Sequence, residues 1–98
     1  MFASRVYLEV NRIPRGRVST YKVIAHRLGG KAYRAVGSAL KKNPDAPATP
    51  CHRVVCSDGS LGGYCGEMNS SKKIRLLSKE GVRVVDGKIV DFTSLLWE

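Results

Sequence analysis

Apolar residues recur at helical spacing through the first part of the chain. Phe2, Val6, Val10 and Ile13 predict a helix over residues 2–12, ended by Pro14 and Gly16. Ser19 or Thr20 is placed to cap a second helix, in which Tyr21, Ile24, Ala25 and Leu28 repeat at i, i+3, i+4 and i+7. Gly29-Gly30 stops it. A third pattern follows in Ala32, Ala35, Val36, Ala39 and Leu40, with Lys31, Tyr33, Arg34, Ser38, Lys41 and Lys42 on its outer face and Asn43-Pro44 at its end. Two short helices joined by a glycine turn, the second with a basic outer face, predict a helix-turn-helix.

The pattern changes after Asn43. Prolines 44, 47 and 50 predict an extended, semi-rigid connector to Cys51. Arg53-Val54-Val55, the turn at Asp58-Gly59 and the return through Gly62-Gly63-Tyr64 predict a β-hairpin or wing. Residues 71–79 read as a helix with Ile74 and Leu77 inward, Ser70 or Ser71 as cap and Gly81 beyond the end. A last hairpin, Val82–Val85 and Lys88–Val90 around Asp86-Gly87, precedes a tail packed by Phe92, Leu95, Leu96 and Trp97. The expectation is a mainly α fold: a winged helix-turn-helix-like single domain over residues 1–98 with small β-hairpins, without repeats or low-complexity tracts.

Charge sharpens this picture. The chain of 98 residues carries a formal net charge of +9. Residues 1–42 hold ten Lys/Arg against the single acid Glu9, whereas residues 43–98 hold seven Lys/Arg and seven acids. A basic half beside a neutral half reads as an anion-binding face, most simply for the phosphate backbone of nucleic acid; the plainer alternative is a solubilising surface. No apolar run approaches a membrane span and no signal-peptide pattern opens the chain, so a soluble, cytoplasmic protein is expected. The cysteines, Cys51, Cys56 and Cys65, are odd in number and form no Cys-x-x-Cys pair. That speaks against a disulfide framework, and a zinc site from Cys51, His52, Cys56 and Cys65 does not match the usual pair spacing, so neither metal nor cofactor is expected.

The run Pro50-Cys51-His52-Arg53-Val54 carries the chemistry. Proline stiffens the backbone before Cys51, His52 is a candidate base, and Arg53 is a permanent cation that favours a thiolate nearby. Neighbours in an extended segment point to opposite faces, so His52 reaches Cys51 through a bridging water unless the chain turns there. Plainer roles stand beside these: a hydrogen-bonded structural histidine for His52, a solvated acid for Glu80, a core aromatic for Tyr21 and a helix stop for Asn43.

Ser19-Thr20-Tyr21, Arg34-Ala35-Val36-Gly37, Asn43-Pro44, Pro50-Cys51-His52-Arg53-Val54-Val55, Gly63-Tyr64-Cys65-Gly66 and Lys79-Glu80-Gly81 stand in an order and spacing that resemble the C-terminal domain of O6-alkylguanine-DNA alkyltransferases, over about two-thirds of the chain. The resemblance implies a protein that flips an alkylated guanine from duplex DNA and moves its alkyl group irreversibly to Cys51. It gives His52 the role of taking the thiol proton and Glu80 that of orienting it. Tyr21, Asn43, Val54, Val55, Tyr64, Cys65 and Gly66 would hold the base. Arg34 would replace the flipped nucleotide, with Ala35, Gly37, Ser38, Tyr33, Lys41 and Arg53 also at the DNA, approached through the minor groove. A monomer acting on double-stranded DNA, without cofactor, is implied.

The chain also departs from that family. The family's N-terminal domain is absent from it, and its length resembles the alkyltransferase-like proteins, which bind alkylated guanine and hand it to other repair machinery. Those relatives usually replace the acceptor cysteine, commonly with tryptophan, whereas this chain keeps Cys51. Tyr33 is bulky where a small residue is frequent, Cys65 stands for serine, and Thr49 for an apolar residue. A winged-helix transcription factor would leave the reactive cysteine without a purpose, and a structural zinc module would need a metal set that the spacing does not supply.

Overall fold

In the computed structural model, which describes residues 2–46, 48–64, 67–68 and 70–98, the predicted first helix is α1 (Phe2–Val10). Its Val6 and Val10 are fully buried, and with Ile13 they pack on Ile24 and Ala25 of α2 (Tyr21–Arg27) and on Val36, Ala39 and Leu40 of α3 (Tyr33–Lys41). The apolar positions that share a face in the sequence are therefore the ones that meet in space. Tyr7 Oη pins α1 to α3 by donating to the Ala39 carbonyl at 2.7 Å. Thr20 caps α2, its side-chain oxygen accepting from Val23 N–H at 3.0 Å. The turn from α2 to α3 passes through Gly29 at φ +87°, a left-handed conformation open to glycine at little cost. The helix-turn-helix follows the sequence pattern closely.

The β-structure departs from it. Strand β2 (Val54–Val55) does not pair with the glycine-rich return. It runs parallel to β1 (Ser19–Thr20), with Ser19 opposite Val54 and Thr20 opposite Val55. Residues 56–60 explain this. Cys56 N–H donates to Ser60 O, Gly59 N–H to Cys56 O, and Asp58 Oδ1 accepts from both the N–H and the hydroxyl of Ser60. The chain thus closes into a tight loop, and Leu61 N–H is drawn to the Gly87 carbonyl instead. The return strand β3 (Gly63–Tyr64) pairs with β4 (Glu67–Met68). Val54 faces the α1–α3 core, and Val55 faces a second core of Val18, Leu61, Leu77, Val82 and Ile89. The period of two thus lets one strand join both clusters.

The second core is closed by α4 (Ser71–Lys79), by the hairpin of β5 (Val84–Val85) and β6 (Lys88–Ile89), and by α5 (Phe92–Leu95). Asp86 and Gly87, at φ 50° and 75°, make the left-handed two-residue turn that Asp-Gly predicts. The tail continues beside β1: Val18 N–H donates to Leu95 O and Trp97 N–H to Val18 O, while the Arg27 guanidinium lies 4.4 Å over the Trp97 ring. No helix among the described residues is long and apolar enough to cross a membrane.

Leu77 is fully buried at the centre of the second core. Leu77→Ala is expected to lower stability by about 2–5 kcal/mol, read from the midpoint of urea unfolding.

Candidate active site and nucleic-acid interface

The connector to Cys51 is folded rather than extended. Asn43 builds the fold: its Nδ2 donates to Thr49 O at 2.9 Å and its Oδ1 accepts from Asp45 N–H at 3.0 Å. Thr49 N–H then donates to Asp45 O, and Cys51 N–H to Thr49 O. Asn43 therefore does more than stop α3; it ties the end of that helix to the segment carrying the cysteine. Cys51–Arg53 is a short 3₁₀ turn, closed by Arg53 N–H donating to Pro50 O at 2.9 Å. The expected alternation of side chains thus gives way to a turn. Cys51 is buried at 5% exposure and His52 at 2%.

Glu80, at the C-terminal end of α4, meets this turn. His52 Nε2–H donates to Glu80 Oε2 at 3.0 Å, Arg53 Nε to Oε1 at 2.9 Å and Arg53 Nη2 to Oε2 at 2.7 Å. Arg53 Nη1 donates to the Ile13 carbonyl at 2.8 Å. Burial raises the Glu80 carboxyl, but the hydrogen bonds and charges of Arg53 and His52 overcome it and bring the pKa down to about 2. A carboxylate can only accept, so His52 carries its proton on Nε2 and presents a lone pair at Nδ1. Nδ1 is buried and has no hydrogen-bond partner among the described residues. Burial lowers the His52 pKa more than the Glu80 carboxylate raises it, so the ring is neutral at pH 7 and available as a base.

Arg53 needs a correction. It was expected among the DNA contacts, but its guanidinium is spent on Glu80 and Ile13, with 15% of the side chain exposed. It orients Glu80, which in turn orients His52.

The residue that sequence reasoning missed is Lys73. It is fully buried on α4, and Nζ donates to the carbonyls of Val54, Leu61 and Gly63 at 2.8, 2.5 and 3.0 Å. A signal existed: Lys73 shares the inward face of its helix with Ile74 and Leu77. The Tyr21 hydroxyl lies 3.5 Å from the same Gly63 carbonyl. Burial, with the negative charge of Cys56 and Cys51, raises the Tyr21 pKa to about 12, so the phenol remains a donor at pH 7. Gly62, at φ +72°, makes room here, because a Cβ would stand 3.2 Å from Cys56 Sγ and 3.3 Å from Tyr21 Oη. Val54 and Val55, expected as pocket wall, are both fully buried. Tyr64 contributes its backbone to β3, and Cys65 and Gly66 lie outside the described residues. Among the described residues no group of His, Cys, Asp and Glu is set to hold a metal ion.

Helix α3 turns Val36, Ala39 and Leu40 inward and leaves Tyr33, Arg34, Ala35, Ser38 and Lys41 exposed, with Gly37 half-buried. Its outer face sets the small residues Ala35, Gly37 and Ser38 between the cations Arg34 and Lys41, which lets that part of the helix backbone come close to a phosphate backbone. No described ion pair involves Arg34 or Lys41.

Comparison with known proteins agrees with this reading. Residues 1–82 match the family described as 6-O-methylguanine DNA methyltransferase, DNA binding domain. A methylated-DNA–protein-cysteine methyltransferase of Candida glabrata is 47% identical over 79 residues, which is 80% of this chain and 37% of that protein. Among solved structures, S. pombe Atl1 in complex with damaged DNA containing O6-carboxymethylguanine superposes with a TM-score of 0.86 at 30% identity, covering 99% of this chain and 94% of that one. Mycobacterium tuberculosis OGT in complex with DNA gives a TM-score of 0.74 at 42% identity, covering 81% and 48%. The chain spans from 28% to 52% of the length of the curated relatives it matches.

Acid should dismantle the site. Glu80 has a depressed pKa, so its contribution to stability is complete above the ordinary carboxyl value of 4.5 and is lost as pH falls toward about 2. His52 also has a lowered pKa, so the unfolded chain takes up its proton first and stability falls as pH drops below 6.5. Glu80→Gln is expected to cost about 1.5–3 kcal/mol at pH 7 and to flatten the pH 2–4.5 limb, measured by urea unfolding across a pH series.

Proposed function

The chain belongs to the 6-O-methylguanine DNA methyltransferase family through its DNA-binding domain, and from that membership we propose that it repairs duplex DNA by moving an alkyl group from O6 of guanine to Cys51. The observation that carries the proposal is the acceptor turn: a buried cysteine followed by a neutral histidine whose Nε2–H is held by Glu80 and whose Nδ1 is left to accept a proton. The Cys51 proton passes through a bridging water to His52 Nδ1, and the Glu80 carboxylate stabilises the imidazolium. The thiolate attacks the alkyl carbon, the S–C bond forms as the C–O6 bond breaks, and the electron pair stays with the guanine. Tyr21, protonated at pH 7, is the donor that meets the charge growing on the base. The thioether is not hydrolysed, so each molecule acts once.

Flipping the base opens a hole in the duplex. Arg34, exposed on α3 without an ion-pair partner among the described residues, is the side chain that fills it, and Lys41 and Ser38 meet the backbone. The Mycobacterium tuberculosis neighbour bound to DNA supports double-stranded DNA as the partner, and the S. pombe Atl1 complex supports alkylated guanine as the lesion.

That Atl1 structure, matched over 94% of its length, also favours a second reading in which the chain recognises the lesion and recruits other repair proteins without transfer. Cys51 separates the two. Mixed with a duplex bearing one O6-methylguanine, the protein is expected to gain one methyl group on the peptide that contains Cys51, read by intact mass and peptide mapping, with guanine restored. Tight binding without a mass change would establish the second reading. Cys51→Ala should abolish transfer and keep lesion binding. Arg34→Ala should slow transfer from duplex DNA on the order of tenfold to a hundredfold while sparing transfer from the free alkylated base, since flipping costs a few kcal/mol. Equal losses in both assays would remove the finger role from Arg34.

A further inference from the structure

We propose that the outer face of α4 is a second polyanion surface, which holds the phosphate backbone of a duplex segment other than the one seated on α3. This rests on duplex DNA being the partner of α3. Lys72, Arg75 and Lys79 stand at i, i+3 and i+7, so at 3.6 residues per turn they fall within an arc of about 60° on one side of α4. All three are exposed, while Lys73 and Leu77 are buried on the other side. Arg15 continues the row. Its Nη2 donates to the Lys79 carbonyl at 2.9 Å, and Gly16 beside it lies against the Glu80 carbonyl, where a Cβ would stand at 3.4 Å. The loop before β1 is thus docked on the C-terminal end of α4, and an exposed guanidinium covers an end that would otherwise repel an anion.

Such a row carries a cost that an anion would relieve. Like charges at i+3 and i+4 repel, and no described ion pair involves Lys72, Arg75, Lys79 or Arg15. Glu80, the acid at the end of the helix, is spent on His52 and Arg53. The dimensions suit a nucleic-acid strand: seven residues of helix rise about 10 Å, over which one strand of B-DNA presents about three phosphates. Ser71 and Ser78, both exposed, flank the row with hydroxyls that suit phosphate oxygens. Among the described residues the exposed large apolar side chains are Phe2, Leu8, Tyr33 and Val85, none of them on α4 or in the loop that holds Arg15. The face therefore lacks the apolar anchor that a protein partner would bury.

The segment on α4 is distinct from the one on α3. In the proposed reaction the flipped base meets Cys51, and the imidazole of His52 stands between Cys51, on its Nδ1 side, and Glu80, on its Nε2 side. Helix α4 is thus on the far side of the acceptor turn from the lesion, and its exposed cations point away from the core that Leu77 closes. A chain with two such faces passes from one segment to another without first letting go, which speeds a search along DNA.

Two measurements on the full chain, both with undamaged DNA, test the second surface. Beads carrying one short duplex are loaded with protein and offered a second, fluorescent duplex. The wild-type chain is expected to retain the second duplex; Lys72→Gln/Arg75→Gln/Lys79→Gln is expected to bind the bead-bound duplex through α3 and retain none. A wild-type chain that captures no second duplex, or a triple variant that captures as much as the wild type, overturns the proposal. The salt dependence of binding is the second measurement. In Arg34→Ala/Lys41→Gln, which weakens the α3 face, the remaining duplex binding should belong to α4. Adding the triple substitution should then flatten the slope of log K against log salt by about 2.7, three phosphates at about 0.9 each. An unchanged slope overturns the proposal. Should the triple variant not fold, Arg75→Gln alone decides, with a loss of about 0.9. Polyglutamate that displaces the second duplex as well as DNA of equal charge does would assign the face to an acidic protein and overturn the proposal too. A chain that repairs O6-methylguanine yet joins no two duplexes refutes this proposal alone. One that joins duplexes yet moves no alkyl group refutes the proposed transfer and leaves the second surface standing.

Discussion

The carboxylate of Glu80 accepts three N–H donors at 2.7–3.0 Å: His52 Nε2, Arg53 Nε and Arg53 Nη2. The same guanidinium reaches the Ile13 carbonyl, so one ion pair joins the end of α4, the acceptor turn and the loop that follows α1. Paired charges in such a setting contribute little net stability, because desolvation offsets most of their attraction. Their value here is positional. With Glu80 ionised, the histidine proton has one place to be, and the base nitrogen follows from that. With Arg53 bidentate on Glu80, the carboxylate cannot swing away from the imidazole. An arginine is needed for this, since a lysine at position 53 would offer a point charge without the fork.

The helical part of this architecture was legible because its signal is local and periodic. Val6 and Val10, Ile24 and Ala25, and Val36, Ala39 and Leu40 declare their buried faces within a few residues of themselves. Strands of two residues carry no period, and the pairing of Ser19 with Val54 joins positions far apart in the chain. Nothing near Val54 announces a parallel partner, so the nearer glycine-rich segment looked like its mate. The connector was misjudged for a related reason. Its prolines favour extension, but the turn is made by Asn43, whose amide answers backbone groups at Asp45 and Thr49.

The site was legible as a set of residue types and less so as a set of roles. Cys51, His52 and Glu80 could be named from motif and order, but the 3₁₀ turn that replaces alternation, and the meeting of His52 with Glu80, are tertiary outcomes. Two cations were misread through one assumption, that Lys and Arg face water. Arg53 was placed at the DNA, and Lys73 was passed over as one more charge on a polar helix. Each is held inward by acceptors remote in sequence: a carboxylate 27 residues away for Arg53 and a carbonyl 19 residues away for Lys73.

Those two side chains change the meaning of the charge count. The apparent neutrality of residues 43–98 includes cations that the surface hardly displays, so the exterior of that part is more acidic than its formula. The outward positive field belongs to α3 and its neighbours, where Arg34, Lys41 and Lys42 are exposed, and to the outer face of α4. Charges of these two kinds obey different physics. Exposed ones act over roughly a Debye length of 8–10 Å and weaken as salt is added, which suits attraction and alignment of a polyanion. Buried ones are barely screened, which suits holding the His52 tautomer in place whatever the ionic strength. The fold keeps them apart by turning α3 outward to carry the first kind and holding the second inward on α4 and on the Cys51–Arg53 turn. In the proposed reaction, approach to DNA and the chemistry at Cys51 are therefore set by separate charges, and the Asn43 amide that ties the end of α3 to the segment carrying the cysteine is the mechanical link.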